Sequence, residues 1–185
     1  MTVSVVLADA NILFSRTLRD YFLYAAHAGA IEIHWSQQVL DEMSRNLRAR
    51  LGLEPADTAR LEALMNDFIE YALVDVDPRD VATVEAVEMD AHDRHVLAAA
   101  LSAEADILLT HNIKHFPRSW MVEHGLELLS AGELPVRLVE QFPDRIRAAH
   151  AMTLRYSTKS EVEILIALER SVGPVPVDAV RRVVG

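Results

Sequence analysis

Acidic residues in this chain stand at places from which they could meet. Asp9 directly follows the apolar run Val3–Ala8. Glu42 lies one to two turns into an amphipathic stretch that follows Ile31–Trp35. Asp90 and Asp93 sit three residues apart, before an Ala/Leu-rich segment, and Thr110-His111-Asn112 closes the run that starts at Asp106. Carboxylates drawn together repel one another, and a hard divalent cation such as Mg²⁺ or Mn²⁺ allows them to coexist. An ion held there can activate a water and steady the charge on a phosphodiester under attack. Each residue also has a plainer use. Asp9 suits a helix N-cap, Glu42 a solvent-facing helical position, and Asp93 the positive end of a helix. His92 and His95 suit surface or packing roles. His111 and His115 have HxxxH spacing but no cysteine partners, which is a weak zinc signal.

The elements that must position these residues alternate in type. Val3–Ala8 is β-branched and apolar, as a buried strand is. Ile12–His27 has helical periodicity and ends at Gly29. Ile31–Trp35 is expected to be a second strand, Ser36 an N-cap, and Gln37–Arg50 a helix stopped by Gly52. Glu54-Pro55 opens another helix to about Tyr71, with Leu61, Leu64, Met65 and Phe68 inward. Ala72–Val76 is a third strand candidate, and Val81–Glu88 is ambiguous. Asp93–Glu104 is a helix, Asp106–Thr110 a buried strand, His111–Phe116 a loop, Pro117 a helix start, and Leu126–Leu129 a last strand. This alternation implies an α/β fold with a mostly parallel sheet flanked by helices. Ligands of such sheets bind beyond the carboxyl ends of the strands, where Asp9 and Thr110–Asn112 fall. After residue 130 only helices are expected, at Leu134–Phe142, Asp144–Leu154, Ser160–Ser171 and Val177–Val184. The implied organisation is a catalytic domain over 1–130 and a C-terminal helical extension over 131–185.

The chain has 185 residues, 51% of them hydrophobic and 25% charged, enough for one sizeable core. No apolar run approaches the ~18 residues of a membrane span. Met1–Ala8 is too short and too uncharged for a signal peptide. Without cysteine there are no disulfides or thiolate zinc sites, and a cytoplasmic address is expected. A net charge of −10 argues at first against a nucleic-acid partner. The charge is uneven, however. Of 18 basic and 28 acidic residues, 8 and 7 lie from Glu133 onward, so the acid excess belongs to the front of the chain. Arg145, Arg147, Arg155 and Lys159 make the tail mildly basic.

Four segments, in order, resemble a PIN domain of the VapC toxin type. They are Val6–Leu13 (VLADANIL), Trp35–Met43 (WSQQVLDEM), Asp90–Ala100 (DAHDRHVLAAA) and Ala105–Pro117 (ADILLTHNIKHFP), within a span of roughly residues 3 to 130. The resemblance implies an endoribonuclease whose Mg²⁺ or Mn²⁺ is held by Asp9, Glu42 and Asp93, with Asp90 an additional catalytic acid. A fourth acid is usual where this chain has Asn112, and His115 stands where a further Asp is often found. Asn112 offers only a neutral oxygen to a metal and cannot act as a base. Thr110, Asn11, Ser15 and Arg16 are expected to position water or phosphate. Arg19, Arg45 and Arg48 either flank the site and grip RNA or are exposed helix charges paired with Asp20 or Asp41. The resemblance further implies a small antitoxin partner that covers the acidic groove, and a homodimer.

Three other readings compete. A haloacid-dehalogenase-like phosphatase needs a second Asp two residues after Asp9, where Asn11 stands. A response-regulator receiver needs an acidic pair near the first strand. A catalytically degenerate PIN-like module that binds RNA or protein is kept open by Asn112.

Overall fold

The first apolar run becomes the centre of the sheet. The computed structural model describes residues 2–185. Strand β1 (Ser4–Ala8) lies between β2 (Ile31–Ser36) and β4 (Ile107–Leu109), with β3 (Leu73–Val74) and β5 (Glu127–Leu129) at the edges. All pairings are parallel and the order is β3-β2-β1-β4-β5. The chain thus builds outward from β1 on one side and then returns to build on the other. The strand order reverses between β1 and β4, and it is beyond the carboxyl ends at such a reversal that sheets of this kind bind ligands.

The register sets what meets at that reversal. Ala8 pairs with Leu109, so Asp9 and Thr110 leave the sheet side by side. Leu7 pairs with His34, which brings Ser36, the N-cap of the next helix, level with Asp9. Helices α1 (Ala10–Phe14) and α2 (Arg16–His27) follow β1, while α3 (Gln37–Leu51) and α4 (Pro55–Phe68) follow β2. Helix α5 (Pro78–Glu85) resolves the ambiguous segment before β4. Its start is set by Asp77, whose side chain accepts from the Arg79 N–H, and by Pro78 in the first turn. Helix α6 (Arg94–Ser102) packs on β1 and α3, and α7 (Arg118–Glu123) precedes β5.

The helix expected over Ile12–His27 is two helices. Ser15 leaves helical geometry at φ −70°, ψ 114°, and its hydroxyl accepts from the Leu18 N–H. A serine able to cap competes with continued helix, and here capping wins. Arg19 then donates to the Leu13 carbonyl at 2.8 Å, meeting a free acceptor at the end of α1. In α4 Met65 is buried, but Leu64 and Phe68 are 56% and 38% exposed, so the inward face is narrower than expected. The third strand shrinks to two residues.

Beyond residue 130 come α8 (Glu133–Gln141), α9 (Pro143–Tyr156), α10 (Glu161–Val172) and α11 (Pro174–Val184). Helices α9 and α10 pack on α2, and α11 packs on α8 and α9. Ile146, Ala149, Leu165, Leu168 and Val180 belong to the same apolar cluster as Val6 and Leu108. The edge residue Glu127 is held by Arg137 of α8 through two bonds of 2.6 and 2.7 Å. Among the described residues no helix is long and apolar enough to cross a membrane.

Candidate functional site

Asp9 is 4% exposed, a buried carboxylate at the switch in strand order. Its Oδ1 accepts from the Ala10 N–H at 2.7 Å, so Asp9 is the N-cap of α1. Its Oδ2 accepts from Asn11 Nδ2 and from the Thr110 hydroxyl, both at 2.7 Å. Thr110 Oγ1 in turn accepts from Asn11 Nδ2 at 3.1 Å and from the Asn112 N–H at 3.0 Å. The Asn11 carbonyl oxygen accepts from the His111 N–H at 2.9 Å. This network ties the end of β1 to the end of β4. The capping and catalytic uses of Asp9 are therefore compatible: one oxygen caps, and the other faces Asn11 and Thr110.

Burial pushes the Asp9 carboxyl above the ordinary carboxylate range. The bonds from Thr110 and Ala10 pull it back, and the charges of Glu42 and Asp93 raise it further. Glu42 and Asp93 thus lie within electrostatic reach of Asp9, on α3 and at the N-cap of α6. Each faces an imidazole: His95 Nε2 is 3.3 Å from Glu42, and His115 Nδ1 is 3.0 Å from Asp93. The His95 contact holds Glu42 below its usual range. It exists because α3 packs on α6.

The remaining expected residues fall as follows. Asp90 is exposed, and its carboxylate accepts from the His92 N–H at 2.9 Å, closing the turn that leads to Asp93. Asn112 is exposed, at the start of a 3₁₀ turn (Ile113–His115) that brings His115 to Asp93. Thr110 is fully buried, so its hydroxyl orients Asp9, where it had been expected to position water or phosphate. The Asn11 amide serves the same network, and Ser15 caps α2. Arg16 is exposed and lies 3.7 Å from Asp20. Arg19 is 8% exposed and donates to the Leu13 carbonyl, so it is not an exposed helix charge. Arg45 is exposed and its charge reaches Glu42, while Arg48 donates to Thr58 at 2.9 Å. His95 was read as a surface or packing residue and His115 as half of a weak HxxxH zinc signal; each instead faces one of the candidate acids. Both pairings join residues far apart in sequence, 22 residues for His115 and Asp93, so local spacing carried no signal of them.

The donor set suits a hard divalent cation: the buried Asp9 carboxylate, already raised by burial, also feels the charges of Glu42 and Asp93. Among the described residues, no three His, Asp or Glu side chains are gathered closely enough to hold an ion as they stand. Glu42 and Asp93 would have to turn from their imidazoles to do so.

A family model described as PIN domain matches residues 5–114. The match runs from within β1 past β4 and includes Asp9, Glu42, Asp90, Asp93, Thr110 and Asn112. No curated protein shows significant similarity to the chain.

Proposed function

The chain belongs to the PIN-domain family, and from that premise we propose that it is a metal-dependent endoribonuclease, a VapC-like toxin whose site is built on Asp9, Glu42 and Asp93. Membership supports a nuclease acting on phosphodiesters. The observation that carries the site assignment is the Asp9 carboxylate at the β1/β4 switch in strand order, raised chiefly by burial and further by the charges of Glu42 and Asp93.

Asp9, Glu42 and Asp93 would hold Mg²⁺ or Mn²⁺, with the Asn112 side-chain oxygen as a neutral supplement. When bound, the ion supplies an activated water and positive charge for the phosphate oxygens. The Thr110 hydroxyl, the Asn11 amide and the Ala10 N–H fix Asp9 in one orientation, so that its geometry is set before substrate arrives. His95 and His115 hold the other two acids by contacts of 3.3 and 3.0 Å that a bound ion would replace. Arg16 and Arg45, both exposed, are placed to meet RNA phosphates as point contacts. Asp90 shapes the approach to Asp93. A small antitoxin covering the groove and a second copy of the chain are the proposed partners; the order of the four segments supports both.

The test is cleavage of total RNA with Mg²⁺, with Mn²⁺ and with EDTA, beside Asp9→Ala and Asp93→Ala. Metal-dependent cutting lost in both variants is the expected result. Equal traces from wild type and variants, with RNA binding intact, would instead assign the chain to the degenerate binding modules.

A further inference from the structure

A second concavity, of about 110 Å³, lies between the first half of α2 and the helices α9 and α10. Its wall includes Arg16, Asp20, Tyr21 and Tyr24 from α2, Tyr156 at the end of α9, and Lys159 in the loop that follows. None of Asp9, Glu42, Asp90 and Asp93 contributes to it.

Three features of this pocket are unexplained by the fold. Tyr21 is 4% exposed, and its hydroxyl has no hydrogen-bond partner among the described residues. A buried hydroxyl left unpaired is costly, and a ligand's polar edge would satisfy it. The rings of Tyr24 and Tyr156 lie 6.2 Å apart and 26° from parallel, bridging α2 and α9. Tyr156 is also 63% exposed, and the Arg155 guanidinium lies over its ring at 5.6 Å, so a planar group would share that ring surface with a cation. Finally, two cations, Arg16 and Lys159, stand there against one carboxylate, Asp20, in a chain of net charge −10. His150 adds no free donor, since its Nε2 is engaged with Glu161 at 2.9 Å.

Size narrows the ligand. An apolar cavity of about 150 Å³ takes up benzene. A pocket of about 110 Å³ with an open side suits one six-membered ring better than a fused purine. Stacking on an aromatic face with a phosphate on nearby cations is how proteins hold unpaired nucleotides.

We propose that this pocket binds a single nucleotide with a pyrimidine base: the ring against Tyr156, its polar edge toward the Tyr21 hydroxyl, and the phosphate toward Arg16 and Lys159. A unit of a single-stranded RNA and a free mononucleotide present the same groups. Only the first source rests on the ribonuclease reading. The five residues of α1, about 7.5 Å along a helix axis, and Ser15 lie between Asp9 and Arg16, the first residue of α2 and part of the pocket wall.

The experiment is calorimetric and NMR titration of the full chain in EDTA, where cleavage is not needed for a signal. The probes are uridine monophosphate, adenosine monophosphate and a short oligouridylate. Uridine monophosphate should shift the amide signals of Tyr21, Tyr156 and Lys159 and bind at least about fivefold more tightly than the adenosine compound. Tyr21→Phe and Lys159→Ala should each weaken it about fivefold or more, with Tyr21→Phe melting no lower than wild type. Oligouridylate binding about tenfold tighter than the monomer identifies an RNA strand as the source; equal binding identifies the free nucleotide. Absence of shifts at these residues with either uridine probe, equal affinity for the purine, or full affinity in Tyr21→Phe would overturn the pocket. A chain that binds uridylate but leaves RNA uncut retains the pocket and loses the nuclease reading.

Discussion

The Thr110 hydroxyl donates to Asp9 Oδ2 at 2.7 Å across 101 residues of sequence, so the orientation of the buried acid depends on a neighbouring strand. Thr110→Val keeps the volume and removes the donor. A hydrogen bond to a charged group contributes roughly 1.5–3 kcal/mol, so the variant should be destabilised by about that much and cut RNA at least about tenfold more slowly. Thermal melts and initial cleavage rates read the two effects.

Asp9 itself should trade stability for function. Its folded carboxyl is raised from 3.8 chiefly by burial. The folded chain therefore holds a proton there more tightly than the unfolded chain does. Stability from this group is fully present below the unfolded value and is lost as pH rises through the folded one. In EDTA, Asp9→Asn should melt no lower than wild type near neutral pH, with its relative advantage shrinking as pH falls toward about 4. A constant difference across pH would sink this account.

Metal should reverse that order. A cation at about 100 times its dissociation constant adds roughly 2.7 kcal/mol to the folded state. For a chain of this size that is a rise of about 5–10 °C. Mn²⁺ should raise the melting temperature of wild type, and Asp9→Asn should show no rise.

The imidazole pairs of Glu42 and Asp93 compete with an ion for the same oxygens. His115 is half exposed beside Asp93, and such pairs contribute under about 1 kcal/mol. His115→Ala should therefore tighten Mn²⁺ binding by no more than about fivefold. Weaker binding in this variant, measured by calorimetry, would make His115 a ligand and not a competitor.

Arg19 offers a control. Arg19→Met removes the bond to the Leu13 carbonyl, leaving an acceptor at the end of α1 unmet, and should cost about 1–3 kcal/mol. RNA affinity at low temperature should stay within about twofold of wild type, because the guanidinium is buried. A large loss of affinity with normal stability would return Arg19 to the RNA surface.

The α/β alternation and the parallel sheet were legible because β-branched runs and capped amphipathic segments report directly on local structure. Ser36 and Gly52 mark boundaries where expected. What local pattern does not carry is where a helix finds a partner: Leu64 stays exposed, and Phe68 meets only the rings of Tyr24 and His27 while 38% exposed. The acids were legible as candidates from their places after strands. Their restraints were not, since the link from Thr110 and Asn11 to Asp9 depends on β1 and β4 being neighbours in register. The same holds for the tail. Its helices were visible, but not that Ile146 and Leu168 share a core with Val6.

Both edges of the sheet are short. One is the two-residue β3, and the other is the three-residue β5, whose Glu127 is tied to Arg137. An edge of that length exposes few unpaired N–H and C=O groups, and a charged pair beside it disfavours a second strand. The folded molecule is thus a poor template for strand addition. Self-association without unfolding must proceed through helical faces, and amyloid-type growth would require the sheet to open first.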